Sequence, residues 1–110
     1  LVVLLFDALQ QTLGSARVAI QNGDIPNKCK HINHAIRILE EGLLAPLNLQ
    51  EGGELAQNLH DLYSYCVNRL TMANIRSDAA VIEEVQRVME PVANGWKQIN
   101  GQGPAYLQPV

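Results

Sequence analysis

Apolar residues recur along this chain at intervals of three and four, the spacing that lines one face of an α-helix. Four segments carry it. Val2, Leu5, Phe6, Leu9, Leu13, Ala16 and Ile20 form the first stripe, which ends at Asn22-Gly23, where glycine can take the left-handed conformation that closes a helix. Asp24 and Pro26 restart the chain, a capping carboxylate and a first-turn proline that suit unpaired amide groups. The second stripe is Ile25, Cys29, Ile32, Ile36, Leu39 and Leu43, stopped by Pro46. A connection from Leu47 to Gly53 leads to a third, Leu55, Leu59, Leu62, Cys66, Leu70 and Ala73. After a turn at Asn74 to Asp78, Asp78 caps a fourth: Val81, Val85, Val88, Val92, Trp96 and Ile99. Pro91 falls inside it and removes a donor, which predicts a kink or interruption between Arg87 and Pro91.

No strand alternation, phosphate-binding glycine loop or internal repeat is present. Short connections make successive helices antiparallel, so the expected fold is all-α, an up-down-up-down four-helix bundle over residues 1–99, followed by a loose Gly-, Gln- and Pro-rich tail over 100–110. Three helices carry more apolar surface than one core needs. The first has a second line of Leu1, Leu4, Ala8 and Ala19, and the second has Ala35, Ile38, Gly42 and Ala45. On the third, Asn58, Tyr65, Arg69 and Met72 share a shoulder of the core stripe, whereas the fourth is apolar on one side only. A partner groove and a fuller core both account for such faces.

With 110 residues, the chain has room for one core. A net charge of −3, with Lys and Arg scattered singly, lacks the basic footprint of a nucleic-acid binder. The apolar run at the start is too short to span a bilayer, and no direct membrane insertion is expected. Two cysteines, Cys29 and Cys66, are too few for a disulfide scaffold and fit a reducing cytosol; both are expected to be unpaired and mostly buried. Candidate chemistry is sparse. His31 and His34 lie three apart near Cys29, but no carboxylate or second thiolate completes a metal site at usable spacing. Glu-x-x-His, the di-iron bundle signature, is absent, and no nucleophile, base and orienting acid can be assembled. Neither a cofactor nor an enzymatic activity is expected.

One stretch is more specific. Gly52-Gly53-Glu54-Leu55-Ala56-Gln57-Asn58-Leu59, followed by Leu62-Tyr63-Ser64-Tyr65, continues in order through Arg69-Leu70, Ala73-Asn74, Asp78, Glu83-Glu84-Val85 and Trp96-Lys97-Gln98-Ile99. Upstream stand Leu4-Leu5-Phe6-Asp7, Gly23-Asp24 and Ala35-Ile36-Arg37-Ile38. In this order the pattern resembles the flagellar secretion chaperone (FliS) family. Phe6 stands where the family more usually has Tyr, Cys66 where Met is common, and Pro91 in a stretch that is usually plain helix.

The resemblance implies an antiparallel helical bundle without catalysis, working in the bacterial cytosol. It implies a protein that holds the disordered C-terminal region of flagellin, prevents its premature polymerisation and helps deliver it to the export gate. It also implies that a family segment preceding Leu1 is absent from this chain. Residues carried over are Phe6 and Asp7, then Ala56, Asn58, Leu59, Tyr63, Tyr65 and Arg69; Ile38 and Met72 join them from periodicity. Asn58 would pair with a backbone amide, Tyr65 offers an amphipathic ring, and Arg69 would meet a carboxylate or helix C-terminus. The alternative occupant of the second faces is another copy of the chain, giving a homodimeric structural bundle.

Overall fold

In the computed structural model, which describes residues 2–102, the chain forms helices α1 (Val2–Gln21), α2 (Ile25–Arg37), α3 (Leu49–Arg76) and α4 (Ala79–Gln102), with a π-helical segment, Ile38–Leu44, continuing α2. The second turn line and both predicted caps form as the sequence implies. Gly23 takes φ +68°. Asp24 accepts the Asn27 amide at 3.2 Å, and Asp78 accepts the Ala80 amide at 3.0 Å. The helices close into a ring in which α1 packs on α2 and α4, and α3 packs on α2, the π segment and α4.

The core is one cluster drawn from every helix: Phe6, Leu9, Leu13 and Ala16; Ile32, Ala35 and Leu39; Tyr63, Cys66, Leu70 and Ala73; Ile82, Val85 and Met89. Its register departs from the apolar stripes on α3 and α4. On α3 the buried positions are Ala56, Tyr63, Cys66, Leu70 and Ala73, while Leu55 is 68% exposed and Leu59 and Leu62 are half-buried. On α4 they are Ile82, Val85, Met89 and Ala93, with Val81, Val88, Val92 and Trp96 packed along the edge. Small Ala56 and Ala93 are buried, and the larger apolar side chains beside them stand at the shoulder.

The π segment was not legible in the pattern. Its Ala45 amide donates to the Glu40 carbonyl five residues back at 2.9 Å. The wider turn adds a residue and lets Ile38, Leu39 and Leu43 all reach the core. A Cβ on Gly42 would lie 3.3 Å from the Leu5 methyls, so this glycine lets α1 approach. The second line expected on α2 is thereby absorbed: Ala35 and Ile38 are core, and only Ala45 is exposed. On α1, Ala19 is also buried and Leu4 alone stands out, Leu1 lying outside the described residues.

The expected connection before α3 is partly helical. Asn48 Oδ1 accepts the amides of Gln50 and Glu51, each at 3.1 Å, and starts a turn. Gly53 then breaks it at φ +56°, ψ −135°, a conformation essentially reserved for glycine. At Gly52 a Cβ would sit 2.5 Å from the Ala56 Cβ. Each glycine of the pair therefore has its own steric reason.

Pro91 does not interrupt α4, which is continuous from Ala79 to Gln102. Its ring and Arg87 are both exposed, so the carbonyl that loses its donor is on the solvent side of the helix and water can satisfy it. Helix continues past Asn100; the rest of the predicted tail, 103–110, lies outside the described residues. Cys66 is buried, and burial pushes its thiol up to about 11. Cys29 is only half-buried, with Sγ 3.5 Å from Asn74 Oδ1, and the two cysteines are not bonded to each other.

A buried lysine ties α2 to the α3–α4 joint. Lys28, 5% exposed, donates from Nζ to the Asn74 carbonyl and to Ser77 Oγ, both at 2.8 Å. Ser77 itself takes the left-handed conformation, φ +51°. Lys28→Met, which keeps the stem and removes the donor, is expected to cost about 1–3 kcal/mol, read as a lower urea midpoint. Pro91→Ala should act oppositely and raise that midpoint, by up to about 3 kcal/mol, because alanine restores the missing helical bond.

Candidate functional site

The two flanks of α4 differ in chemistry. Toward α1, Asp7 pairs with Lys97 at 3.1 Å and Arg17 with Glu83 at 3.4 Å. Between these pairs Gln10 Nε2 donates to the Gln86 carbonyl at 3.1 Å and Gln86 Nε2 to the Gln10 carbonyl at 3.4 Å. This seam holds a hollow of about 510 Å³, lined almost wholly by polar groups of both charge signs. It has the character of a solvated joint between helices.

Toward α3 the surface is apolar. Val88 and Val92 follow Glu84 by four and eight positions and so share its flank of α4. Tyr65 donates its hydroxyl to Glu84 Oε2 at 2.6 Å, and Arg69 Nε donates to Glu84 Oε1 at 2.8 Å. One carboxylate thus latches two turns of α3 onto α4. At the far end of the seam, Pro46, Leu47, Leu55, Ala56, Leu59 and Trp96 line an open groove of about 390 Å³, rimmed by Asn48 and Glu51. Leu62, half-buried, stands one helical turn from both Leu59 and Tyr65 on this side of α3. From the groove to the latch the seam presents an apolar band that its own bundle does not fully cover.

Of the residues singled out from sequence, the structure brings Leu59, Tyr65, Arg69 and Met72 onto α3 at or beside this seam, with Asn58 exposed next to Leu59. Tyr65 remains 44% exposed, so one part of the ring is available although its hydroxyl is engaged. Arg69 is already paired and does not offer a free guanidinium. Phe6, Ile38, Ala56 and Tyr63, carried as candidate partner contacts, are buried within the bundle. Burial also raises the Tyr63 phenol, opposed by the Trp96 indole beside its oxygen. Asp7 belongs to the polar α1–α4 seam. Leu55, Val88, Val92 and Trp96 were missed as site residues because each was read as core stripe; the small residues Ala56 and Ala93 at neighbouring positions were the available sign that the stripe was displaced. Among the described residues, no three His, Cys, Asp or Glu side chains gather as a metal site, and no helix is long and apolar enough to cross a membrane.

An all-helical bundle with an uncovered apolar seam along one helix pair has the architecture of a small helical binding domain. Its sequence settles which: residues 1–103 match the model of the flagellar protein FliS, and the chain belongs to that family. It is 42% identical to the flagellar secretion chaperone FliS of Salmonella typhimurium over 91% of this chain and 74% of that protein. Identity to the Escherichia coli flagellar secretion chaperone FliS is 40%, over 89% of this chain and 72% of the other. With FliSB of Pseudomonas aeruginosa, also a flagellar secretion chaperone, it is 38% over 91% and 79%. The family is one of chaperones, not of enzymes.

The latch has a pH signature. Hydrogen bonds from Tyr65 and then Arg69 hold the Glu84 carboxyl below its ordinary 4.5, and the same contact raises the Tyr65 phenol above 10. A depressed carboxyl contributes stability that is complete above the unfolded value and is lost as pH falls through the folded one. The raised phenol acts in the opposite sense, its contribution lost as pH rises through its folded value. Glu84→Gln should therefore flatten the fall of stability below about pH 4.5 in urea titrations followed by circular dichroism, while leaving helix content at neutral pH unchanged. An acid limb identical to that of the unsubstituted protein would sink the latch.

Proposed function

We propose that this chain is an export chaperone that lays an amphipathic segment from the C-terminal region of flagellin along the α3–α4 seam, holds it unpolymerised in the cytosol, and hands it on to the export gate. The single observation that carries the reading is the apolar band between the Trp96 groove and the Glu84 latch, on a member of a flagellar secretion chaperone family. A helix-in-groove contact would bury Leu55, Leu59, Leu62, the ring of Tyr65 and Trp96, with Asn58 and Met72 at its border. Phe6, Ile38, Ala56 and Tyr63 support that surface, and Asp7 steadies α4 from its other flank. A segment that folds as it binds gives up about 2–5 kcal/mol of gross interaction energy, which keeps the complex releasable at the point of export.

Leu55 is the most informative position because it is exposed and lies in the groove wall. Leu55→Asp is expected to leave thermal unfolding unchanged and to weaken a flagellin C-terminal peptide by about tenfold or more, ~1.4 kcal/mol, in calorimetry. No heat of binding with the unsubstituted chain would overturn the reading. If the protein instead elutes as a dimer that Leu55→Asp dissociates, the seam serves a second copy of the chain.

A further inference from the structure

The α3 border of the apolar band is acidic from the groove to the latch. Glu54, Asn58, Asp61 and Tyr65 follow one another at four, three and four residues, so they form one exposed row on α3. Tyr65 of that row reaches Glu84, which sets the row on the side of α3 that faces α4. Glu51 continues the acidic border at the groove rim. Among the described residues no Lys or Arg pairs with Glu51, Glu54 or Asp61. Asp61 accepts the neutral Gln57 amide at 2.9 Å and meets the His60 ring at 3.4 Å. Across the seam, Val88 and Val92 bring no charge. Positive charge begins only at the latch, where Arg69 and Arg87 both act on Glu84. The next cation along this side of α3, Arg76, stands fifteen residues past Asp61, about 22 Å along the helix and well beyond the screening length of ~8 Å. The N-terminal dipole of α3 accounts for Glu51 and Glu54, which stand in the first turns before and after the break at Gly53. Asp61 lies two turns further in, out of reach of that dipole.

We propose that the seam selects a helix with basic side chains along one border of its apolar face, two of them seven residues apart so as to meet Glu54 and Asp61. The inference rests on the seam being the client site and names the charge pattern that the client carries there. Seven residues are two helical turns, so side chains at that spacing are about 10.5 Å apart on both helices and can face each other in pairs. Glu54 and Tyr65 are eleven residues apart, about 16 Å, which gives the occupant about three turns along the row. The same row disfavours a second copy of the chain, because a two-fold contact along the seam would bring two acidic borders together. Exposed ion pairs of this kind add little affinity of their own. They fix which border of the apolar face lies against α3, and so the orientation of the bound helix.

Two synthetic amphipathic peptides test the charge rule, alike in their apolar face and carrying either Lys or Glu at two border positions seven residues apart. Trp96, the only tryptophan, reports binding through its emission. With the full chain at low salt, the Lys peptide should bind about tenfold more tightly than the Glu peptide. That preference should fade at about 1 M salt, where the screening length falls to ~3 Å. The double substitution Glu54→Gln, Asp61→Asn should abolish it in a chain that keeps its helix content. Equal affinity of the two peptides for the unsubstituted chain would overturn the proposal, and so would a preference that survives the double substitution. Binding of the flagellin C-terminal peptide but of neither synthetic one also overturns it, and leaves flagellin as the client. A Lys preference that meets every expectation above, with no binding of the flagellin peptide, does the reverse: the seam keeps its basic-edged helix and loses flagellin. Silence toward all three peptides removes both.

Discussion

The return of α4 onto α1 hangs on the contact of Lys28 with the α3–α4 joint. Ser77 sits there in a left-handed conformation that costs a non-glycine residue of order 1 kcal/mol, and its hydroxyl is held there by the hydrogen bond it accepts from Lys28. The amine of Lys28 reaches from the first turn of α2 to the Asn74 carbonyl and the Ser77 hydroxyl, placing a positive group at the negative end of α3. A buried ammonium is costly by itself and acceptable only with such partners. Fixing this joint fixes the direction in which α4 leaves it. Only with that direction set do Ile82, Val85 and Met89 meet the core residues of α1 and close the ring.

Once α4 is in place, its two flanks divide the work. The flank toward α1 is bridged by paired charges and reciprocal amide bonds, which hold two helices together through water-tolerant contacts. The flank toward α3 is joined by one polar latch and an incomplete apolar band. In the proposed function, this incompleteness is the property that matters. A band fully covered by its own bundle would have nothing to offer another chain, and a wholly uncovered one would promote aggregation. The latch resists separation of α3 and α4, so that the band keeps its shape while it is empty. The glycine pair at the start of α3 contributes in the same way. Gly53 redirects the chain and Gly52 clears the Ala56 Cβ, and together they turn Leu55 into the wall of the groove instead of the core.

Much of this was legible in the residues alone. The helices, their turns and their caps follow from chemistry within a few positions of one another. Asp24, Gly23, Pro26 and Asp78 act on amides next to them, and the three-and-four spacing is a property of a single helix. The motif from Gly52 to Tyr65 also identified the family, because residue order survives without knowledge of packing. What escaped was any feature that depends on which helix faces which. The π turn includes Gly42, over which Leu5 of α1 lies, the core register of α3 and α4 places Ala56 and Ala93 inside, and Glu84 meets Tyr65 and Arg69 only across two helices.

The sequence by itself therefore determined the number and direction of the helices, the lack of a catalytic motif and the family. Tertiary structure decided which apolar residues are core and which form the seam. The physical reason is that hydrophobic spacing specifies a face but not its angular position to within a residue. A rotation of one position, about 100°, moves Leu55 from interior to groove wall and brings Ala56 inside, and only the neighbouring helices can choose between the two.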